Sequence, residues 1–276
     1  MNATILALLP SVGIFAACLL LPPLIGVLTE GVLDQLDAKK AGRTVPSLLA
    51  PFQEYVVNLR LPLTSVPNEQ TTCILLSMAF HLLAIVMMGL QRELPPILLL
   101  QAFGVLALIM AGMSKTVPYS HLTINHALRA FLTSQPLLML VAAGIFFATG
   151  NFNLGGIKDY PRLLVVDLPF LFIVLILVEL AARTAAKEAA SSDPMLAFVK
   201  LANCYRSGTL LLLAGFFFAH SIAAAALAAI LLYAILLGVP HAWPRAAGWL
   251  KAEWSWGFLY FVCGLNLIWL YIKYWM

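Results

Sequence analysis

The chain has 276 residues, 62% of them hydrophobic and 10% charged, with a net charge of +4 and a mean hydropathy of +0.96. That leaves too little polar surface for a water-soluble fold, and so small a charge excludes a nucleic-acid footprint. Apolar runs of the ~18–20 residues needed to cross a bilayer recur along the whole length, and none alternates as a barrel strand would. The sequence predicts an all-α, polytopic integral membrane protein forming one membrane domain over 1–276.

Eight transmembrane helices are expected, at roughly 4–28, 71–90, 95–113, 135–150, 163–182, 207–221, 223–239 and 255–273. The first contains IFAACLLLPP, which looks like a lipoprotein cleavage site at Cys18. No Lys or Arg precedes it and the apolar run continues beyond it, so a retained membrane helix is expected. Between the first two spans, 29–70 forms a long inner loop. Within it Leu48, Phe52, Tyr55, Val56, Leu59 and Leu63 recur at helical spacing, opposite Gln53, Glu54 and Asn58. This predicts an amphipathic helix on the inner membrane surface, with Pro51 in its first turn, where a missing N–H costs little.

Polar residues inside the spans are costly in lipid and so raise functional questions. His81 lies near the middle of the second span and Gln101 lies in the third. His81 reads either as a hydrogen-bonded core residue or as a proton relay. His121 and His126, in SHLTINHALRAFL, are five apart, a spacing that does not put them side by side on one helix face for a metal. The Ser, Thr and Asn between them suggest a polar helix cap.

The fifth span, DLPFLFIVLILVELAAR, has Asp167 near its start and Glu179 twelve residues on, about 18 Å along a helix at ~1.5 Å per residue. Two readings stay open. The carboxylates bracket the hydrocarbon, with Arg183 as the i+4 partner of Glu179; or Glu179 is a protonatable group in a polar pathway. Pro169 loosens the first turn and frees backbone groups there.

After this span, the inner loop 184–206 reads as an extension of the fifth helix, a break at SSDP and a second short helix, with Asp193 before Pro194 as the restart signal. The apolar run 208–238 is too long for one ordinary span and tight for two; two are expected. With eight spans, twelve basic residues fall in one set of loops and four in the other. The larger set includes Lys39, Lys40, Arg43, Lys200 and Arg206; the positive-inside rule then puts both termini outside.

Cys18, Cys73, Cys204 and Cys263 are widely spaced and read as small apolar core residues. No metalloprotease, nucleophile-elbow, Walker or dinucleotide motif is present. No stretch outside the membrane is long enough to bury a catalytic core.

The order of these features resembles complex I subunit 1, or H, and the equivalent membrane subunit of energy-converting and formate-linked hydrogenases, as a diverged paralogue. Glu30 ends the first helix, KKAGR at 39–43 follows as the basic segment, and SLLAPFQEYVVNL resembles the pattern LLQPxxDxxKL, with Pro51 on its proline and Glu54 on its acidic residue. HALRAFLTSQPLLMLVAAGIFFATGNFNLGGI resembles the family's arginine-bearing fourth span and outer turn, and LPFLFIVLILVELAAR its fifth span, with Glu179 near the acidic residue there. Beyond Arg183 the family continues with PFD and a carboxylate cluster, where this chain has ARTAAKEAASSDP, with only Glu188 and Asp193.

The resemblance implies a non-catalytic membrane subunit of an ion-translocating complex in the inner membrane of a bacterium or archaeon, the proton being the expected ion. It would link a peripheral soluble module to antiporter-like membrane subunits. Glu30, Glu54, Glu179 and Glu188 would carry the coupling, with Asp167, His81 and Arg183 as further polar members. No cofactor is expected in this chain; quinone stays an alternative that the departure after Arg183 argues against. Other readings are a structural anchor that has lost the ion path, a self-contained transporter, for which no internal repeat is visible, and an integral-membrane enzyme.

Overall fold

The computed structural model describes residues 3–42, 44–60, 68–113, 118–189, 196–242 and 253–275. The helices are α1 (Ala3–Lys40), α2 (Ala50–Arg60), α3 (Asn68–Gly89), α4 (Leu94–Met113), α5 (Pro118–Thr149), α6 (Leu164–Asp167), α7 (Pro169–Ala189), α8 (Leu196–Phe216), α9 (Ile222–Ala242) and α10 (Glu253–Trp275). A 3-10 turn, Leu154–Asp159, precedes α6. The architecture is all-α, as the apolar runs predict, and the run 208–238 divides into α8 and α9 at a turn around 217–221.

Among the described residues, five stretches are long and apolar enough to cross a membrane: Val12–Lys40, Glu69–Gly89, Leu94–Met113, Ala127–Thr149 and Trp256–Lys273. Pro169–Ala181 and Ile222–Leu236 are shorter apolar helices. Large apolar side chains such as Leu20, Leu132, Leu231, Phe261 and Ile268 are exposed on the outside of the bundle. A soluble protein would hide many of them, whereas in a multi-pass membrane protein they meet lipid.

Helices α3, α4, α5, α7 and α8 pack in a closed ring, each against the next and α8 back against α3. Helix α1 lies outside against α3 and α8, α9 against α8 and α1, and α10 against α5 and α7. Lipid tails are as apolar as leucine, so close packing rather than hydrophobicity must join such helices, and small residues permit it. A Cβ on Gly215 would stand 2.0 Å from the carbonyl oxygen of Ala225, and one on Gly144 would stand 2.2 Å from Leu171. Those glycines set the α8–α9 and α5–α7 approaches.

One end of the bundle is fixed by short connections. Gly150, at φ +72°, ends α5 in the left-handed conformation that glycine adopts without strain. The Leu94 amide donates to the Phe152 carbonyl at 3.0 Å, and the Asn153 side chain caps the 3-10 turn by accepting from the Gly155 amide at 2.9 Å. The Val165 amide donates to the Phe217 carbonyl at 3.0 Å. The α3–α4, α5–α6 and α8–α9 connections therefore share this end.

At the opposite end, the chain after α1 folds back on itself. The Gln35 side chain donates to the Pro46 carbonyl at 3.1 Å, and a Cβ on Gly31 would be 2.2 Å from the Leu48 carbonyl oxygen. A helix forms within the expected stretch as α2, with Pro51 in its first turn. It packs against α1 and α8 while Phe52 and Val57 stay exposed.

Three boundaries differ from those expected. Helix α1 continues to Lys40, through the acidic and basic residues that hydropathy reads as loop. Helix α5 begins at Pro118, so His121 and His126 lie inside a helix rather than in a cap. Helix α8 begins at Leu196 and is continuous to Phe216; there is no separate short helix, and Arg206 sits at the midpoint of a bundle helix instead of in a loop. The break expected at SSDP, the restart at Asp193, and Leu63 lie outside the described residues.

Candidate functional site

Counting from the shared end places the buried polar residues at one depth. His81 is eight residues from the end of α3 and Gln101 seven from the start of α4. Glu179 lies ten residues into α7, and Arg206 is ten from the end of α8. At ~1.5 Å per residue these offsets amount to about 10–15 Å, well inside a membrane ~30 Å thick. His81, Gln101 and Glu179 are 0%, 2% and 1% exposed, and Arg206 is half-buried. Ser77 and Thr209, both buried, belong to the same region of α3 and α8.

His81 is the centre of the α3–α4 part of this layer. Its ring lies on Gly104: a Cβ there would be 2.6, 2.7 and 2.8 Å from Cε1, Nε2 and Nδ1. Gln101, one turn away on α4, lies against the ring, and Arg206 is near enough to act on it electrostatically. No hydrogen bond of acceptable geometry from the described residues reaches either ring nitrogen, Ser77 Oγ or Gln101 Nε2. On α8, Thr209 Oγ1 donates to the Tyr205 carbonyl at 2.9 Å, and the Tyr205 hydroxyl donates to the Leu19 carbonyl at 3.0 Å, tying α1 to the ring.

Asp167 belongs to a different cluster, near the shared end. It is 2% exposed; Tyr160 donates its hydroxyl to one carboxylate oxygen and Lys273 its ammonium to the other. Asn266 completes the cluster. Its Oδ1 accepts from the amides of Phe170 and Leu171 at 3.1 and 3.4 Å, and its Nδ2 donates to the Asp167 carbonyl at 3.3 Å. Phe170 and Leu171 lie in the first turn of α7, where amides have no partner within the helix; a residue of α10 supplies it.

Glu30 lies at the other end, half exposed, with Lys200 Nζ 3.4 Å from its Oε2. The seven expected site residues are thus not brought to one place. His81 and Glu179 share the mid-bundle layer, while Asp167 and Glu30 lie near opposite ends. The side chains of Glu54, Arg183 and Glu188 lie outside the described residues. Sequence reasoning missed Arg206, because a charge next to a loop reads as loop, and it did not single out Ser77 or Asn266, which stand alone in apolar runs. The burial cost of a polar side chain was the available signal for all three.

Among the described residues no group of three or more His, Cys, Asp or Glu could hold a metal ion. An apolar groove of about 260 Å³ opens between α1 and α9 over α8, lined by residues such as Ile14, Leu21, Ile85, Ala226 and Ile230. Thr29 Oγ1 donates to the Tyr233 hydroxyl at 3.1 Å beside it. A quinone tail fits such a lining. A quinone head needs polar partners for its carbonyls, and Cys18, Cys204 and the Thr29-bound Tyr233 provide a poor set, so the groove does not fit a quinone site.

The sequence matches no protein-family model and no curated protein. The structure, however, is similar to a chain in the solved structure of the membrane-bound sulfane sulfur reductase (MBS), an archaeal respiratory membrane complex. The match covers 94% of this chain and 99% of the other, with a TM-score of 0.72 and 16% sequence identity. The shared property is the fold. It is shared over nearly the full length of both chains.

Proposed function

We propose that this chain is a non-catalytic membrane subunit of a complex I-like or hydrogenase-like ion-translocating complex, with the proton as the ion. The observation that carries this reading is the near full-length likeness to a chain of a respiratory membrane complex. The buried polar layer supports it, because ionisable groups in a membrane bundle are costly and mark ion and proton pathways among their functional uses.

In this reading the bundle sits in a bacterial or archaeal cytoplasmic membrane, crosses it eight times and keeps both termini outside. The end carrying α2, Glu30 and Lys200 then faces the cytoplasm and docks a peripheral soluble module, while lipid-facing helices meet antiporter-like membrane subunits. A charge change in the peripheral module alters the potential at Glu30 and Glu54. That change shifts protonation at Glu179, with Glu188 between them on the α7 extension. Protons then pass laterally through the mid-bundle layer.

A mild-detergent pull-down of the tagged chain, with mass spectrometry of its companions, tests the reading. Antiporter-like membrane subunits together with a soluble redox module are the expected companions. Recovery of a stable chain without partners would overturn it and bring forward a self-contained transporter.

A further inference from the structure

Three polar side chains on α3 and α4 are buried together without adequate protein partners. Ser77 and His81 are 0% exposed and Gln101 is 2% exposed. Ser77 Oγ, both His81 ring nitrogens and Gln101 Nε2 have no hydrogen bond of acceptable geometry from the described residues. A neutral imidazole carries one N–H donor and one bare acceptor nitrogen, the amide nitrogen is a donor, and the hydroxyl is both. Leaving these unmet costs on the order of 1–3 kcal/mol per group, far too much for a set of chance orphans on adjoining helices.

Gln101 lies against the ring, but one amide N–H can serve at most one ring nitrogen, so the other nitrogen and Ser77 Oγ still need a partner. His81 cannot turn freely, because its ring is held flat against Gly104, with three ring atoms within 2.8 Å of where a Cβ would stand. Ser77 is one helical turn away on the same face, and i,i+4 side chains start about 5–6 Å apart. Polar atoms on two such neighbours are within reach of one bridging water, which spans two hydrogen bonds of ~2.8 Å. A buried water needs two to four polar partners, and these three side chains provide donors and acceptors of both kinds.

We infer that Ser77, His81 and Gln101 form an internal water-binding site between α3 and α4, holding at least one ordered water against the imidazole. The site stands on geometry alone. Its role rests on the function proposed above: water here would give a proton a step sideways from the layer of Glu179 and Arg206 toward α3 and α4.

Radiolytic hydroxyl-radical footprinting of the full chain in native membranes tests this, since radicals form from water and oxidise the side chains next to it. Met88 is the internal control. It lies on the same helix at 0% exposure, in the apolar core cluster, and methionine is chemically more reactive than histidine. His81 is expected to be oxidised several-fold faster than Met88. The double variant Ser77→Ala, Gln101→Leu is expected to bring His81 down to the Met88 rate, with Met88 still protected as proof that the variant is folded.

Protection of wild-type His81 equal to that of Met88 would overturn the site. Undiminished oxidation of His81 in the folded double variant would also overturn it, since water would then reach the ring without these partners. A labelled His81 in a chain that purifies without companions would keep the water site and remove the subunit reading.

Discussion

Gly104 and His81 are locked together across the α3–α4 interface, the imidazole occupying the space where any other residue would place its Cβ. His81 is fully buried, so the ring has no solvent to retreat into. Replacing Gly104 with Ala forces α3 and α4 apart or drives the ring off its rotamer. Overpacking of this kind costs about 1–3 kcal/mol, and a lower melting temperature in detergent is the expected readout. Adding His81→Ala to Gly104→Ala removes the clash, so the double variant should lose less than the sum of the singles. Strict additivity would show that the contact is not what destabilises Gly104→Ala.

Asn266 is expected to matter for a single turn of helix. Asn266→Ala strips acceptors from the Phe170 and Leu171 amides and a donor from the Asp167 carbonyl, in a setting buried at Leu171 and Asp167 and part-buried at Phe170. Loss of a cap costs about 0.5–2 kcal/mol, and stranding buried amides places the effect at the upper part of that range. Hydrogen exchange should accelerate at 169–172 while α3 and α4 stay protected. Uniform acceleration across the bundle would mean that Asn266 holds α10 in place rather than the start of α7.

Asp167 and Lys273 give an order of variants. The carboxylate is buried and accepts from Tyr160 and Lys273. Asp167→Asn keeps a side chain that can accept from Tyr160 and leaves no carboxylate to be neutralised. Lys273→Met should be worse, because it leaves a buried carboxylate without its ammonium, a loss of the ~3–5 kcal/mol type. Thermal unfolding of the two variants in detergent checks the order; equal losses would mean that the ammonium is not what the carboxylate depends on.

What could be read from the residues beforehand follows from what each signal measures. Hydropathy located the apolar body of every helix and separated α8 from α9, because AHSI interrupts a run otherwise too long for one helix. Pro51 with the spacing of Leu48, Phe52 and Val56 was enough for α2. Hydropathy failed at the helix ends, where Lys39, Lys40 and Arg206 are helical but charged, since it reports solvent and not backbone conformation. The mid-bundle layer was half legible. His81 and Glu179 advertise themselves by cost, but their sharing a depth with Arg206 depends on where α8 begins, a tertiary fact. The pairing of Asp167 with Lys273 spans more than a hundred residues and left no local trace.

Glu30 separates stability from function. Its contact with Lys200 is a half-exposed ion pair at 3.4 Å, and such pairs are worth about 0–1 kcal/mol. Glu30→Gln should therefore leave the melting temperature nearly unchanged. If Glu30 senses the peripheral module, the same variant should reduce ion translocation by the assembled complex. A large fall in stability would mean that the pair is a structural tie between α1 and α8.

Glu179 provides the decisive variant for the proposed mechanism. It is 1% exposed in the middle of α7, and its carboxylate shares a depth with Arg206 and His81. Glu179→Gln preserves shape and hydrogen-bonding capacity but cannot carry a proton on and off. A proton route through the layer therefore predicts a loss of about tenfold or more in translocation, the scale expected when a relay step is removed, with assembly and companions unchanged by mass spectrometry. An unchanged melting temperature alongside lost translocation would separate function from folding. Full translocation by a properly assembled Glu179→Gln complex would take Glu179 out of the mechanism and leave the layer as packing, with the chain as an anchor.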